Sequence, residues 1–188
     1  MRKEQGGSTM IEILVAIVIV VVGLLGLAGL QSRATLAEME AYQRAQAIVL
    51  VQDMADRIAS NRKNAMSYVT ASPLGADIGY QTCGATPGAV QDQCEWSNAL
   101  VGAGESASGT KVGAMIGARG CVINTVAAMP RQFTVAVVWQ GLNPTVIPAN
   151  TTCGAGLYGN EKTRRAVTLN VTIGCLQNDP VTLTCVTP

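Results

Sequence analysis

The 188-residue chain contains no histidine. Without an imidazole it cannot build a Ser-His-Asp or Cys-His nucleophile pair or a histidine-ligated zinc site, which closes most familiar hydrolase and metalloenzyme constellations. Charge is scarce as well: Asp, Glu, Lys and Arg make up 13% of the residues, about half the share usual in soluble globular proteins. Thirteen basic against twelve acidic side chains leave a formal net charge of +1, too little for long-range attraction to nucleic acid. Aromatic residues are only 4%, yet hydrophobic residues reach 48%. A chain of this length suits one domain with an appendage, and its apolar material must be concentrated somewhere.

It is concentrated near the N-terminus. Ile13 to Leu30 (ILVAIVIVVVGLLGLAGL) runs eighteen residues without a polar side chain. As a helix this covers about 27 Å, or about 30 Å when carried to Ser32 before the charge of Arg33, the thickness of a bilayer core. A secretory signal that is removed has a shorter apolar region ending in a small-x-small site; this run continues into LQSRATLAE, so a retained anchor is expected. The polar leader Met1 to Gly7 carries Arg2 and Lys3, which places the N-terminus in the cytoplasm by the positive-inside rule. Glu12 then sets one carboxylate in the apolar flank. At a helix centre an ionised carboxylate costs about 2.5–3.5 kcal/mol to insert, less near an interface, so Glu12 needs a partner.

Beyond the anchor, Arg33 to Ser67 keeps a helical period. Ala47, Leu50, Val51, Met54, Ala55 and Ile58 fall at spacings of three and four, with polar Gln52, Asp53, Asp56 and Arg57 between them. No proline occurs before Pro73. A helix from Ser8 to about Met66 would be nearly 90 Å long, so only its second half can serve as the spine of a compact domain. Gly23, Gly26 and Gly29 recur every three residues, a pattern suited to close helix packing or to local loosening.

From about Tyr68 the pattern changes to period two. Phe133, Val135, Val137 and Trp139 alternate with smaller or polar residues, as do Val167, Leu169, Val171 and Ile173, and then Val181 and Leu183. These predict strands with one face on a core, and Gly141 to Pro144 and Gln177 to Pro180 predict turns. The apolar stripe from Ala47 to Ile58 is the natural cover for that face, so the expected fold is α+β, a helical spine on an antiparallel sheet. Cys83, Cys94, Cys121, Cys153, Cys175 and Cys185 all follow the apolar run. An even number in an exported domain predicts up to three disulfides among fifteen pairings. Cys83 with Cys94 would close a short loop, and Cys121 with Cys153 is a second candidate; a tight turn at Asn178-Asp179 would set Thr172, not Cys175, opposite Cys185. No C-x-x-C spacing supports a metal site.

Other motifs carry little. Gly154 to Gly159 matches G-x-G-x-x-G, but no strand precedes it and no helix follows, so a phosphate loop is not expected. Arg164-Arg165 reads as a solvated strand edge. Trp96 and Trp139 read as core rather than as exposed binding aromatics. No catalytic constellation and no cofactor site is expected.

Gly7 followed by Ser8-Thr9-Met10-Ile11-Glu12 and a purely aliphatic helix resembles the class III signal of type IV prepilins. The resemblance implies cleavage by prepilin peptidase after Gly7, methylation of the new amine at Ser8, and Glu12 as the acidic residue at the fifth mature position. In a filament Glu12 could then pair with the Ser8 amine of a neighbouring subunit, an attraction much stronger in low dielectric than in water. The family more often has phenylalanine or methionine where this chain has Ser8. The organisation implied is a leader over 1–7, a transmembrane and filament-core helix over 8–32, an amphipathic spine over 33–67 and a periplasmic or extracellular β domain over 68–188. Arg2, Lys3 and Glu4 lie in the leader, so the mature chain would carry eleven charges of each sign.

Val51 to Arg62 with Tyr68, then Cys94-Glu95-Trp96, Arg119-Gly120-Cys121 and Val138 to Gly141, resemble the PilV-type minor pilins, the type IV pilus modification proteins. That resemblance implies a single-pass protein of the bacterial inner membrane that joins other minor pilins, the major pilin and the pilus assembly machinery to prime the filament. Three alternatives are a minor pseudopilin of type II secretion, a pilus-tip adhesin using its disulfide-tied loops, and a permanently anchored periplasmic protein.

Overall fold

The computed structural model describes residues 9–102, 106–107, 110–111 and 115–175. Gly7, Ser8, the expected turn over 177–180, the expected strand around Val181 and Leu183, and Cys185 lie outside the described residues. The chain divides into two compact units, residues 1–39 and 40–188.

In the first unit the described chain is helical from Met10 onward and belongs to helix α1, Met10–Ser60. Its side chains are exposed throughout. The helix passes Gly23, Gly26 and Gly29 without a break, and nothing lies within 4 Å of where a Cβ would stand on any of them. These glycines therefore serve no packing among the described residues.

In the second unit the rest of α1 is amphipathic. Ala47, Val51, Met54, Ala55 and Ile58 are buried along one face, the stripe expected from their spacing. The α-helix ends at Ser60 rather than continuing to Ser67; Asn61 leaves helical geometry and Arg62–Tyr68 forms a 3-10 turn. Asn side chains compete for backbone groups in this way and favour helix ends.

Four antiparallel strands form the main sheet among the described residues: β1 (Leu74–Gly75), β4 (Ile116–Val126), β5 (Arg131–Gln140) and β6 (Arg164–Ile173), in the order β1-β4-β5-β6. Two short strands, β2 (Ser106–Ala107) and β3 (Thr110–Lys111), pair separately. Phe133, Val135, Val137 and Trp139 of β5 face α1, with Val122 of β4 and Val167, Val171 and Ile173 of β6 in the same cluster. The expected helix-on-sheet α+β arrangement is present. Both tryptophans lie inside it and donate to α1: Trp96 Nε1 to the Leu50 carbonyl at 2.8 Å and Trp139 Nε1 to Gln43 Oε1 at 3.1 Å. A buried indole N–H left unpaired would cost about 1–3 kcal/mol, so each bond fixes where along α1 its ring can sit.

The sheet's other face is covered by the segment between β5 and β6. Ala136 and Val138 pack there against Cys121, Cys153 and Tyr158. Cys121 and Cys153 are joined, with Cα atoms 6.0 Å apart, as are Cys83 and Cys94, 5.6 Å apart. Cys175 is disulfide-bonded too.

Two elements depart from the sequence-based expectation. Helix α2, Ala89–Leu100, lies inside what read as a purely β region. Its inward face includes Ser97 and Asn98, buried because Ser97 Oγ accepts from Gly75 N at 3.0 Å and the Asn98 amide pairs with both backbone groups of Gln81. Arg164 is the second departure. It is 3% exposed, not solvated, and its guanidinium donates to the Thr151 and Cys153 carbonyls and to Glu161.

Strand β4 passes beneath Trp96 at Gly120. A Cβ there would run into the indole ring and come within 2.8 Å of Leu100 Cδ1. Gly120→Ala is therefore expected to lower stability by about 1–3 kcal/mol, the scale of core overpacking, in urea denaturation of the full chain. Gly84→Ala, where no atom stands within 4 Å and φ is not positive, should change it by less than about 0.5 kcal/mol. Equal effects of the two would contradict this packing.

Candidate assembly site

The surface that most needs a partner is the N-terminal part of α1. Isoleucine, leucine and valine follow one another all round the helix from Ile11 to Leu30, and each lies exposed within its own chain. This is the one helix among the described residues long and apolar enough to cross a membrane. A helix apolar on every side is stable only inside lipid or among other helices. Ile13 and Leu30, the expected limits of the span, both lie on this surface.

Glu12 sits in the first turn of α1. Its backbone N–H donates to the Thr9 carbonyl at 3.0 Å, as does that of Ile13 at 3.3 Å. The carboxylate thus stands at the N-terminal end of the apolar helix. Among the described residues it makes no ion pair, and its sequence neighbours Ile11 and Ile13 are exposed and apolar.

A polar cluster in the second unit holds α2 against α1, and sequence patterning did not find it. Arg57 of α1 reaches Asp53 through Nε at 3.0 Å, and through Nη1 it reaches Asp92 at 2.9 Å and Glu95 at 2.8 Å, the last two on α2. Tyr68 donates its hydroxyl to the remaining oxygen of Asp92 and accepts from Asn61 Nδ2 at 3.1 Å. Burial works against the Arg57 charge, but the hydrogen bonds to Glu95, Asp53 and Asp92 outweigh it and raise the pKa. The same bond, helped by Gln91, holds the Glu95 carboxyl below the usual range. Burial and the bond to Asp92 push the Tyr68 phenol up. The detectable signal was Arg57 at i+4 from Asp53; the α2 partners, 35 and 38 residues away, had none.

The G-x-G-x-x-G segment proves to be a series of turns. Gly154, Gly156 and Gly159 all have positive φ, and the Gly156 N–H donates to Glu161 Oε1 at 2.6 Å. An acidic side chain of this protein occupies the place a phosphate would need. No group of three or more metal-ligating side chains is found among the described residues.

Residues 2–28 match the prokaryotic N-terminal methylation motif, and residues 29–95 match the family of type IV pilin Tt1218. The two matches support a type IV pilin. Together they cover residues 2–95, through α1 and the Arg57 cluster to Glu95 in α2. No curated protein and no solved structure matches the chain. The apolar surface of α1 fits membrane anchoring and incorporation into a pilus.

Three carboxylates in this unit have pKa values lowered by fixed partners: Glu95 by Arg57, Asp77 by Arg119, and Glu161 by the Gly156 N–H and then Arg164. A carboxylate whose folded pKa lies below its unfolded one adds stability that is complete above the unfolded value, about 4, and lost as pH falls through the folded value. Urea midpoints are therefore expected to drop steeply below about pH 4. Combining Glu95→Gln, Asp77→Asn and Glu161→Gln should flatten that drop; an unchanged acid profile would place the lability elsewhere.

Proposed function

We propose that this chain is a minor type IV pilin that primes or modifies pilus assembly, with its α1 surface acting first as membrane anchor and then as filament contact. The observation that carries the proposal is a membrane-length apolar helix, uncovered within its own chain, with a carboxylate in its first turn and a sequence match to the methylation motif. Prepilin peptidase cleaves after Gly7 and methylates Ser8. The leader stays on the cytoplasmic side of the bacterial inner membrane, and residues 68–188 occupy the periplasm until the subunit joins the pilus.

Glu12 sets register in this mechanism. A charge pair at about 4 Å is worth roughly 1 kcal/mol in water and about 4 at the effective dielectric of a protein surface. Exchange of lipid for neighbouring helices therefore makes a Ser8 amine the best partner Glu12 can find, and a subunit that is axially misplaced loses it. The partners are other minor pilins and the major pilin. The role is structural: the chain contributes contacts and no reaction.

Glu12→Leu should leave the protein inserted and processed yet reduce its recovery in sheared pili about tenfold or more, the scale of one lost charge pair of about 1.4 kcal/mol or above. Normal recovery would sink the register role. Sequencing the membrane form by mass spectrometry should find methylated Ser8 as the first residue, and Gly7→Glu should abolish that species. Survival of residues 1–7 in the wild type would overturn the pilin reading itself.

A further inference from the structure

The two ends of the β5-β6 pair meet the chain at different places. At one end Trp139 Nε1 donates to Gln43 Oε1, while Asn143 N and Arg165 Nη2 both donate to Glu40 Oε1, at 3.4 Å and 3.2 Å. At the other, Arg62 Nη2 donates to the Gly174 carbonyl. The turn after β5 and the start of β6 therefore sit at the Glu40 end, where the second unit begins. The loop 144–148, Pro-Thr-Val-Ile-Pro, leaves from that end. Val146 is 88% exposed and Ile147 46%. Thr145 N donates to the Lys162 carbonyl at 2.7 Å, and Lys162, itself exposed, shares a surface with Pro144, Val146 and Ile147.

The carboxylates at this end are already occupied, Glu40 by Arg165 and Glu161 by Arg164. Arg44, one turn along α1 from Glu40, and Lys162 are exposed and make no ion pair among the described residues. An aliphatic tip beside uncompensated cations suits a lipid headgroup layer, where apolar side chains enter the acyl boundary and lysine or arginine meets phosphate. It suits a protein partner less well, because lysine is depleted from protein interfaces.

The chain connection brings that layer within reach. Eight residues lead from Ser32, the limit of the apolar run, to Glu40, and as helix they rise about 12 Å. A bilayer of about 40–45 Å has a core of about 30 Å, so the headgroups on one side take up about 5–7 Å of that rise. The remaining gap, again about 5–7 Å, is shorter than the roughly 10 Å that the three residues from Asn143 to Val146 can span.

We propose that loop 144–148 is a membrane-surface contact. While α1 is anchored, Val146 and Ile147 enter the edge of the phospholipid layer on the side of the second unit, and Lys162 and Arg44 meet its phosphates. The contact presupposes the anchor role of α1 and adds to it a seat for the globular part, given up when the helix exchanges lipid for neighbouring subunits.

The test uses the full-length chain in vesicles of phosphatidylethanolamine and phosphatidylglycerol. A small fluorescent amino acid replaces Val146 or, in a second sample, Val90, which is 84% exposed on α2 and shares a groove with Asn61 at the far end of the helix. Lipid carrying a nitroxide at the top of its acyl chain, present in both leaflets, is expected to lower emission at position 146 about twofold or more and to leave position 90 unchanged. Ile147→Asp combined with Lys162→Glu should restore the emission at 146; both positions are exposed, and an unchanged urea midpoint in detergent will confirm the fold. Equal quenching at 146 and 90, or quenching that survives the double variant, would overturn the proposal. Washing with alkaline carbonate separates it from the anchor role. A chain that stays with the vesicles but is unquenched at 146 defeats the loop contact alone, whereas a chain washed off defeats the anchor and the contact with it.

Discussion

Among the described residues nothing covers the first thirty residues of α1, and that uncovered surface is the constraint the rest of the chain must meet. Burying an aliphatic side chain of this size is worth about 1.5–3 kcal/mol. Summed over the run from Ile13 to Leu30 the driving force is on the order of 30 kcal/mol, several times the stability of a whole domain. A surface of that worth cannot stay in water; it passes from lipid to protein or remains in lipid. Glu12 falls under the same constraint, because a carboxylate at the edge of an apolar environment is costly unless it finds a cation.

The second unit holds its own segment of α1 in place. It does so by pairing apolar packing with directional bonds. Ala47, Val51, Met54 and Ile58 supply the buried area, which resists separation but tolerates sliding by a turn. The indole bonds to Leu50 and Gln43 and the Arg57 cluster do not tolerate it, since a shift of one turn would strand two buried donors and the two α2 carboxylates, Asp92 and Glu95. Hydrophobic area sets the strength of the grip, and polar contacts set its register.

What could be seen in the sequence divides along the same line. The helical stripe, β5, β6 and the buried tryptophans were visible because apolar residues facing one core must recur with the period of their element. Strand β4 was hidden because Gly117 and Gly120 interrupt its alternation, and Gly120 is there because Trp96 occupies the space of its Cβ. Helix α2 was hidden because its inward face uses Ser97 and Asn98, whose burial depends on partners at Gly75 and Gln81. Periodicity reports burial in a common core; it cannot report a polar side chain satisfied by a distant loop.

The most motif-like stretch shows how position decides chemistry. Arg164 and Arg165 are adjacent on a strand, so they must point to opposite faces: Arg164 goes inward to the Thr151 and Cys153 carbonyls, and Arg165 reaches Glu40 and the Asn143 carbonyl. Glu161 completes the inner site by bonding both Arg164 and the Gly156 N–H. The cation, the anion and the glycine turn neutralise one another inside the segment. The stretch from Gln140 to Asn160 before them carries no charged side chain of its own. The glycine turns and the arginine beside them are thus an internal brace.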